Sequence, residues 1–101
     1  MNLRVSLYET LVNNCLLVRV LDLDNEGSKG LIRIFISGHP PTEIKVDLLS
    51  LSPVDVFIYD TPITGEIHEV TAKIYSMDQL LLHDTDTKII KLGSIDKRKP
   101  A

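Results

Sequence analysis

Seven short stretches of this sequence alternate apolar and polar residues with a period of two, and that alternation restricts the fold more than any other feature. Consecutive side chains of an extended strand point to opposite faces, so such a stretch has one apolar and one wet face. Leu3, Val5 and Leu7 oppose Arg4, Ser6 and Tyr8. Ile44, Val46 and Leu48 oppose Glu43, Lys45 and Asp47. Ile32, Ile34 and Ile36, then Val54, Val56 and Ile58, then Val70, Ala72 and Ile74 repeat the pattern. Leu16, Val18 and Val20 alternate with Leu17, Arg19 and Leu21, a stretch apolar on both faces, as in a central strand. The last strand falls within residues 80–92, with Thr85 to Leu92 as its body after a bulge; residues 80–84 compete as one helical turn.

The 11 Ile, 8 Val and 7 Thr fit pleated, half-buried surfaces. "DNEGSKG", "GHPP", "TPITG" and "MDQ" punctuate the stretches with turn residues, and the prolines cannot donate to a ladder. The strands lack the helical segments that βαβ units need between them, which favours an antiparallel sandwich of seven strands over a parallel sheet. At 101 residues the chain suits one domain, predicted over residues 1–95, with residues 96–101 a flexible tail carrying Lys97, Arg98 and Lys99.

Two segments carry a resemblance. "VRVLDLDNEGSKGLIRIFISG" resembles the second and third strands of immunoglobulin-like modules of bacterial and archaeal proteins. "GEIHEVTAKIYSMDQLLLHDTDTKII" resembles their final hairpin: a glycine turn, an alternating strand, a polar turn and a last strand. The likeness covers roughly residues 14 to 92 and lies nearest the cell-adhesion-related and fibronectin-type-III-like modules. Antibody-type domains differ in their paired cysteines and core tryptophan; this chain has one Cys and no Trp. The resemblance implies an all-β, seven-stranded antiparallel immunoglobulin-like β-sandwich acting as a spacer, adhesion unit or docking platform.

Chemistry finds little footing. "HEVTA" falls one residue short of a zinc-protease motif: the second histidine, four residues after His68, is replaced by Ala72. The stretch also alternates as a strand, where His68 and Glu69 face apart. Asp22, Asp24, Glu26 and Gly27 occupy the first, third, fifth and sixth places of a calcium loop, but Arg33 stands where the bidentate carboxylate belongs. No metal is expected; Asp22, Asp24 and Glu26, converging at a sandwich tip, come nearest to a site. Asp84 and Asp86 share one side of a strand and His83 projects from the other, so a metal there requires more distant ligands such as Asp78 or His68. Cys15, in an apolar run with no base nearby in sequence, reads as a small buried hydrophobe. The expectation is no enzyme and no cofactor.

The net charge of -3 provides no positive field for nucleic acid. The aromatic residues are Tyr8, Phe35, Phe57, Tyr59 and Tyr75; Phe35 and Phe57 are read as covering the second apolar side of their strands rather than stacking bases. No segment approaches the roughly 20 apolar residues of a spanning helix, and no signal peptide opens the chain, so no membrane insertion is expected. The protein is expected in the cytoplasm if these residues are the whole of it, and in the extracellular space or at the cell surface if they are a fragment. High Ile with scarce Cys, Met and Trp matches a heat-stable protein, and a prokaryotic or viral origin is expected for a spacer of this kind.

What remains is surface. Leu17, Leu21, Leu31, Phe35, Phe57 and Tyr59 make their strands apolar on a second face, which a two-layer fold does not need. They are the predicted contact residues of a non-catalytic module that binds a protein partner or a second copy through a sheet face or an edge strand. Lys45 and Asp47 are expected to guard one edge. The alternative is a structural spacer in a longer secreted or surface protein.

Overall fold

The structure, a computed structural model, describes residues 2–10, 15–23, 28–48, 53–58, 67–78 and 80–91. It contains seven strands: β1 (Leu3–Glu9), β2 (Leu16–Asp22), β3 (Ser28–Ile36), β4 (Thr42–Leu48), β5 (Val54–Ile58), β6 (Ile67–Ser76) and β7 (Leu82–Lys91). They form a three-stranded sheet in the order β1-β2-β5 and a four-stranded sheet in the order β4-β3-β6-β7, with every pairing antiparallel. The protein is therefore all-β, as the alternation predicts.

The predicted inward residues meet in one core. Leu3, Val5, Leu7, Leu16, Val18 and Val20 from the first sheet join Ile32, Ile34, Val46, Leu48, Val70, Ala72 and Ile74 from the second. Ile44, Val54, Val56 and Ile58 pack against its margin. Two antiparallel sheets sharing one apolar core are compatible with a β-sandwich. Burial of each large aliphatic side chain contributes about 1.5–3 kcal/mol, which makes this core the main source of stability.

The register follows from these faces, because a slip of one residue would turn a strand's apolar row to water. Val5 pairs with Val20 and Val18 with Val56, so apolar side chains meet across strands on the buried side. Ile32 is flanked by Ile44 and Ile74 in the same way.

Two boundaries differ from the sequence expectation. β3 begins at Ser28, inside the stretch taken for a turn. Gly30 belongs to the strand because a Cβ there would stand 3.0 Å from Ile74 Cδ1 and 3.4 Å from Val46 Cγ2: core side chains close over the bare backbone. No helical turn forms at residues 80–84. Leu80 instead takes a left-handed conformation (φ 53°) and β7 starts at Leu82. The hairpin closes where Ser76 N donates to Leu81 O at 3.0 Å and Leu81 N donates to Ser76 Oγ at 3.3 Å. The bulge lies in the β6–β7 ladder: Ile74 opposes Asp84 and Tyr75 opposes Leu82, which leaves His83 as the extra residue. The β3–β4 connection turns at Gly38 (φ 83°), with His39 N donating to Ile36 O at 2.9 Å. The expected tail at residues 96–101, and the end of the predicted domain beyond Lys91, lie outside the described residues.

Candidate functional site: exposed apolar ends and a clamped edge

β7 governs what the surface offers. Its inward row is Asp84, Asp86, Lys88 and Ile90, and only Ile90 is buried. The three charged side chains reach across to β1, an edge strand of the other sheet. Asp84 Oδ2 accepts from Val5 N at 3.0 Å, Asp86 Oδ2 accepts from Leu7 N at 2.8 Å, and Lys88 Nζ donates to Leu7 O. Arg4 Nη1 stands 3.9 Å from Asp84, and Lys88 Nζ stands 3.9 Å from Asp86. Alternate charges on one strand thus bond the outward main chain of another, a substitute for a neighbouring strand. Unpaired edge groups invite a foreign strand, and inward-pointing charges remove the invitation. The alternation in "DTDTK" is visible in sequence, but the sequence does not show that its charged side faces inward.

These bonds also orient the chain. Val5 meets Asp84 and Leu7 meets Asp86, so β1 and β7 run parallel. Leu3 is level with Leu82, and Lys91 lies about 30 Å further along β7, at 3.3 Å per residue. The start of β1 and the end of β7 are therefore at opposite ends of the molecule.

The exposed large apolar side chains divide between those ends. Leu80, Leu81 and Leu82 are 60%, 55% and 51% exposed in the turn before β7. Leu23, also exposed, lies at the same end, where its N–H donates to Asn2 O at 2.9 Å. Towards the other end are Tyr8, Phe57 and Ile89, the last 64% exposed. Tyr8, Leu17 and Phe57 form one in-register row across the outer face of the first sheet. An open concavity of about 350 Å³ lies nearby, lined by Leu7, Tyr8, Glu9, Lys88, Ile89 and Ile90. Lys88 Nζ stands 4.7 Å from the centre of the Tyr8 ring, a cation–π contact on its wall.

Of the six residues predicted for contact, five are described, and they fall on two different sheets. Leu17, Leu21 and Phe57 occupy the outer face of the first sheet. Leu31 and Phe35 occupy the outer face of the second, so one surface does not contain them all. Leu31 is only 9% exposed, at the base of a pocket of about 110 Å³ that Arg33, Tyr75 and Leu80 complete. Phe35 is half-buried, with Lys73 Nζ 5.2 Å from its ring centre. Tyr59 lies outside the described residues. Sequence reasoning missed the leucine turn and Ile89; the signal for the former was the bare "LLL" run after a polar turn.

Ion pairs divide the outer faces into polar and apolar zones. Arg19 bridges Asp55 through two bonds of 2.7 and 3.0 Å and lies 5.5 Å from the centre of the Tyr8 ring. The hydrogen bond from Arg19, reinforced by its charge, holds the Asp55 carboxyl below its usual range. Asp55 in turn raises Arg19, first by that bond and then by its charge. Arg33 pairs with Glu43, which raises Arg33 in the same way, and stacks 5.6 Å from the Tyr75 ring centre. β4 is an edge strand, and its Glu43, Lys45 and Asp47 are all exposed.

The described candidates for metal binding are dispersed. Asp22 ends β2 half-buried, while Asp24 and Glu26 lie outside the described residues. His68 is the second residue of β6, its ring 6.1 Å from that of His39 and its Nδ1 3.5 Å from Ser37 Oγ. Ala72 is in the core on the same face of the strand. Asp84 and Asp86 are engaged by β1, and Asp78 is exposed in the hairpin turn. Among the described residues no group of three or more His, Cys, Asp or Glu side chains is placed to hold a metal ion. Cys15 is a free, buried thiol. No helix among the described residues is long and apolar enough to cross a membrane.

The class that fold and surface define is an all-β protein of two antiparallel sheets. No protein-family model matches the chain, and no curated protein is significantly similar to it.

Proposed function

We propose that this chain is an immunoglobulin-like or fibronectin-type-III-like β-sandwich module that acts without catalysis, by binding protein, and that it self-associates. Its strand order resembles that of fibronectin-type-III-like modules. The fourth strand lies beside the third, whereas constant-type immunoglobulin domains carry it in the first sheet. The observation that carries the interaction reading is the pair of exposed apolar groups at the two ends, above all the three consecutive leucines 80–82. Apolar residues grouped on a surface, rather than scattered singly, mark contact sites.

Sedimentation velocity over a concentration series tests it. The reading expects a mean mass that rises with concentration and falls when Leu81 is replaced by Asp.

A second reading, a structural spacer, is favoured by the parallel run of β1 and β7, which lets the strand ends leave in opposite directions. It expects a monomer at every concentration.

A further inference from the structure

We infer that two copies of this chain pair edge to edge along β4, antiparallel, with Lys45 of each copy opposite Asp47 of the other. This inference rests on the self-association proposed above and specifies its geometry. β4 ends the four-stranded sheet, and among the described strands it pairs with β3 alone. Its exposed charges, Glu43, Lys45 and Asp47, stand on the outer face of the sheet, because Ile44, Val46 and Leu48 face the core. They therefore leave the strand's open main chain within reach of another strand. The other edges are less available. β1 is covered by Asp84, Asp86 and Lys88, which engages those charges of β7 as well. β5 antiparallel to itself about Val56 would set Asp55 against Phe57, and Asp55 is already bonded to Arg19.

Charge and proline select the register. Antiparallel copies of one strand meet about a two-fold axis, and residues equally far from it face each other. An axis at Lys45 would set Lys45 against Lys45 and Glu43 against Asp47, like charges throughout that row. An axis at Ile44 would set Lys45 against Glu43, which Arg33 already neutralises. It would also bring Pro40 and Pro41, which lack N–H donors, into the ladder. An axis at Val46 sets Lys45 against Asp47 twice, and the prolines lie beyond the paired residues 44–48. Neither Lys45 nor Asp47 makes an ion pair among the described residues. Val46 then meets Val46 and Ile44 meets Leu48 on the inner face, which extends the apolar row over the half-buried Ile44. Asp47 comes to lie between two lysines, Lys29 on β3 and Lys45 of the other copy. Main-chain bonds give such a contact its affinity, and the charge pairs its specificity. The two four-stranded sheets become one of eight strands, and the contact closes at the dimer.

The test exchanges the charges in the full chain: Lys45→Asp, Asp47→Lys and the two together, all at exposed positions. Melting curves verify folding, and Lys45→Glu with Asp47→Arg replaces the pair if either fails. By sedimentation velocity the parent dimerises. Each single variant sets like charges opposite each other and dimerises at least about tenfold more weakly. The double variant dimerises as the parent does. So does an equal mixture of the two single variants, as a one-to-one heterodimer. Loss in Lys45→Asp with Asp47→Lys unaffected overturns this register. A parent whose mass falls with Leu81→Asp but with neither β4 variant overturns the edge pairing and leaves self-association standing, as does a double variant or a mixture as weak as the single variants. A parent that is monomeric throughout overturns both.

Discussion

Gly30 shows how one residue limits the packing of a whole layer. Ile74, Val46 and Leu48 surround the space a side chain would enter, with Ile74 Cδ1 nearest. Val at this position has good strand propensity, yet it must displace a fully buried isoleucine. Gly30→Val is expected to destabilise by about 2 kcal/mol, as overpacked core sites do, read from chemical denaturation. Asp55 shows a smaller, pH-dependent effect. Its folded pKa is depressed by Arg19, so its contribution is present above the unfolded pKa and lost as pH falls through the folded one. Asp55→Asn should therefore melt slightly below the parent near neutral pH, and the two curves should converge below about pH 4. A gap that persists in acid would mean that Asp55 acts by packing rather than charge.

Among the elements, β7 carries the most consequence per residue. Asp84 and Asp86 each accept a main-chain N–H of β1 that would otherwise face outward unpaired. Replacing either by Ala is expected to destabilise by about 1–3 kcal/mol, the range for stranding a partly buried donor. Asn, which keeps an accepting oxygen, should destabilise less. The double Ala variant should also aggregate faster on heating, because it uncovers a strand edge; turbidity during a temperature ramp measures this. Why the sequence revealed β1 and β4 but not this clamp has a physical reason. Leu3, Val5 and Leu7, like Ile44, Val46 and Leu48, obey the rule that the apolar side faces inward. β7 breaks that rule over Asp84, Asp86 and Lys88, because its inward face overhangs the main chain of β1 rather than the core. Period two identifies the residues that share a face; it does not say which sheet lies opposite. Nor does it say which sheet carries each outward residue: Leu17, Leu21 and Phe57 lie on the first, Leu31 and Phe35 on the second. Gly30, by contrast, resembled a turn in composition and became a strand residue through packing visible only in three dimensions.

At the scale of the whole molecule, the parallel course of β1 and β7 determines how a load would cross the protein. Traction applied to the start of β1 and the end of β7 would be directed along the strands. The attachments of Asp84 to Val5, and of Asp86 and Lys88 to Leu7, lie side by side on that line. They would be strained together in shear rather than unzipped one after another, so the seam that shields an edge is also placed to resist stretching.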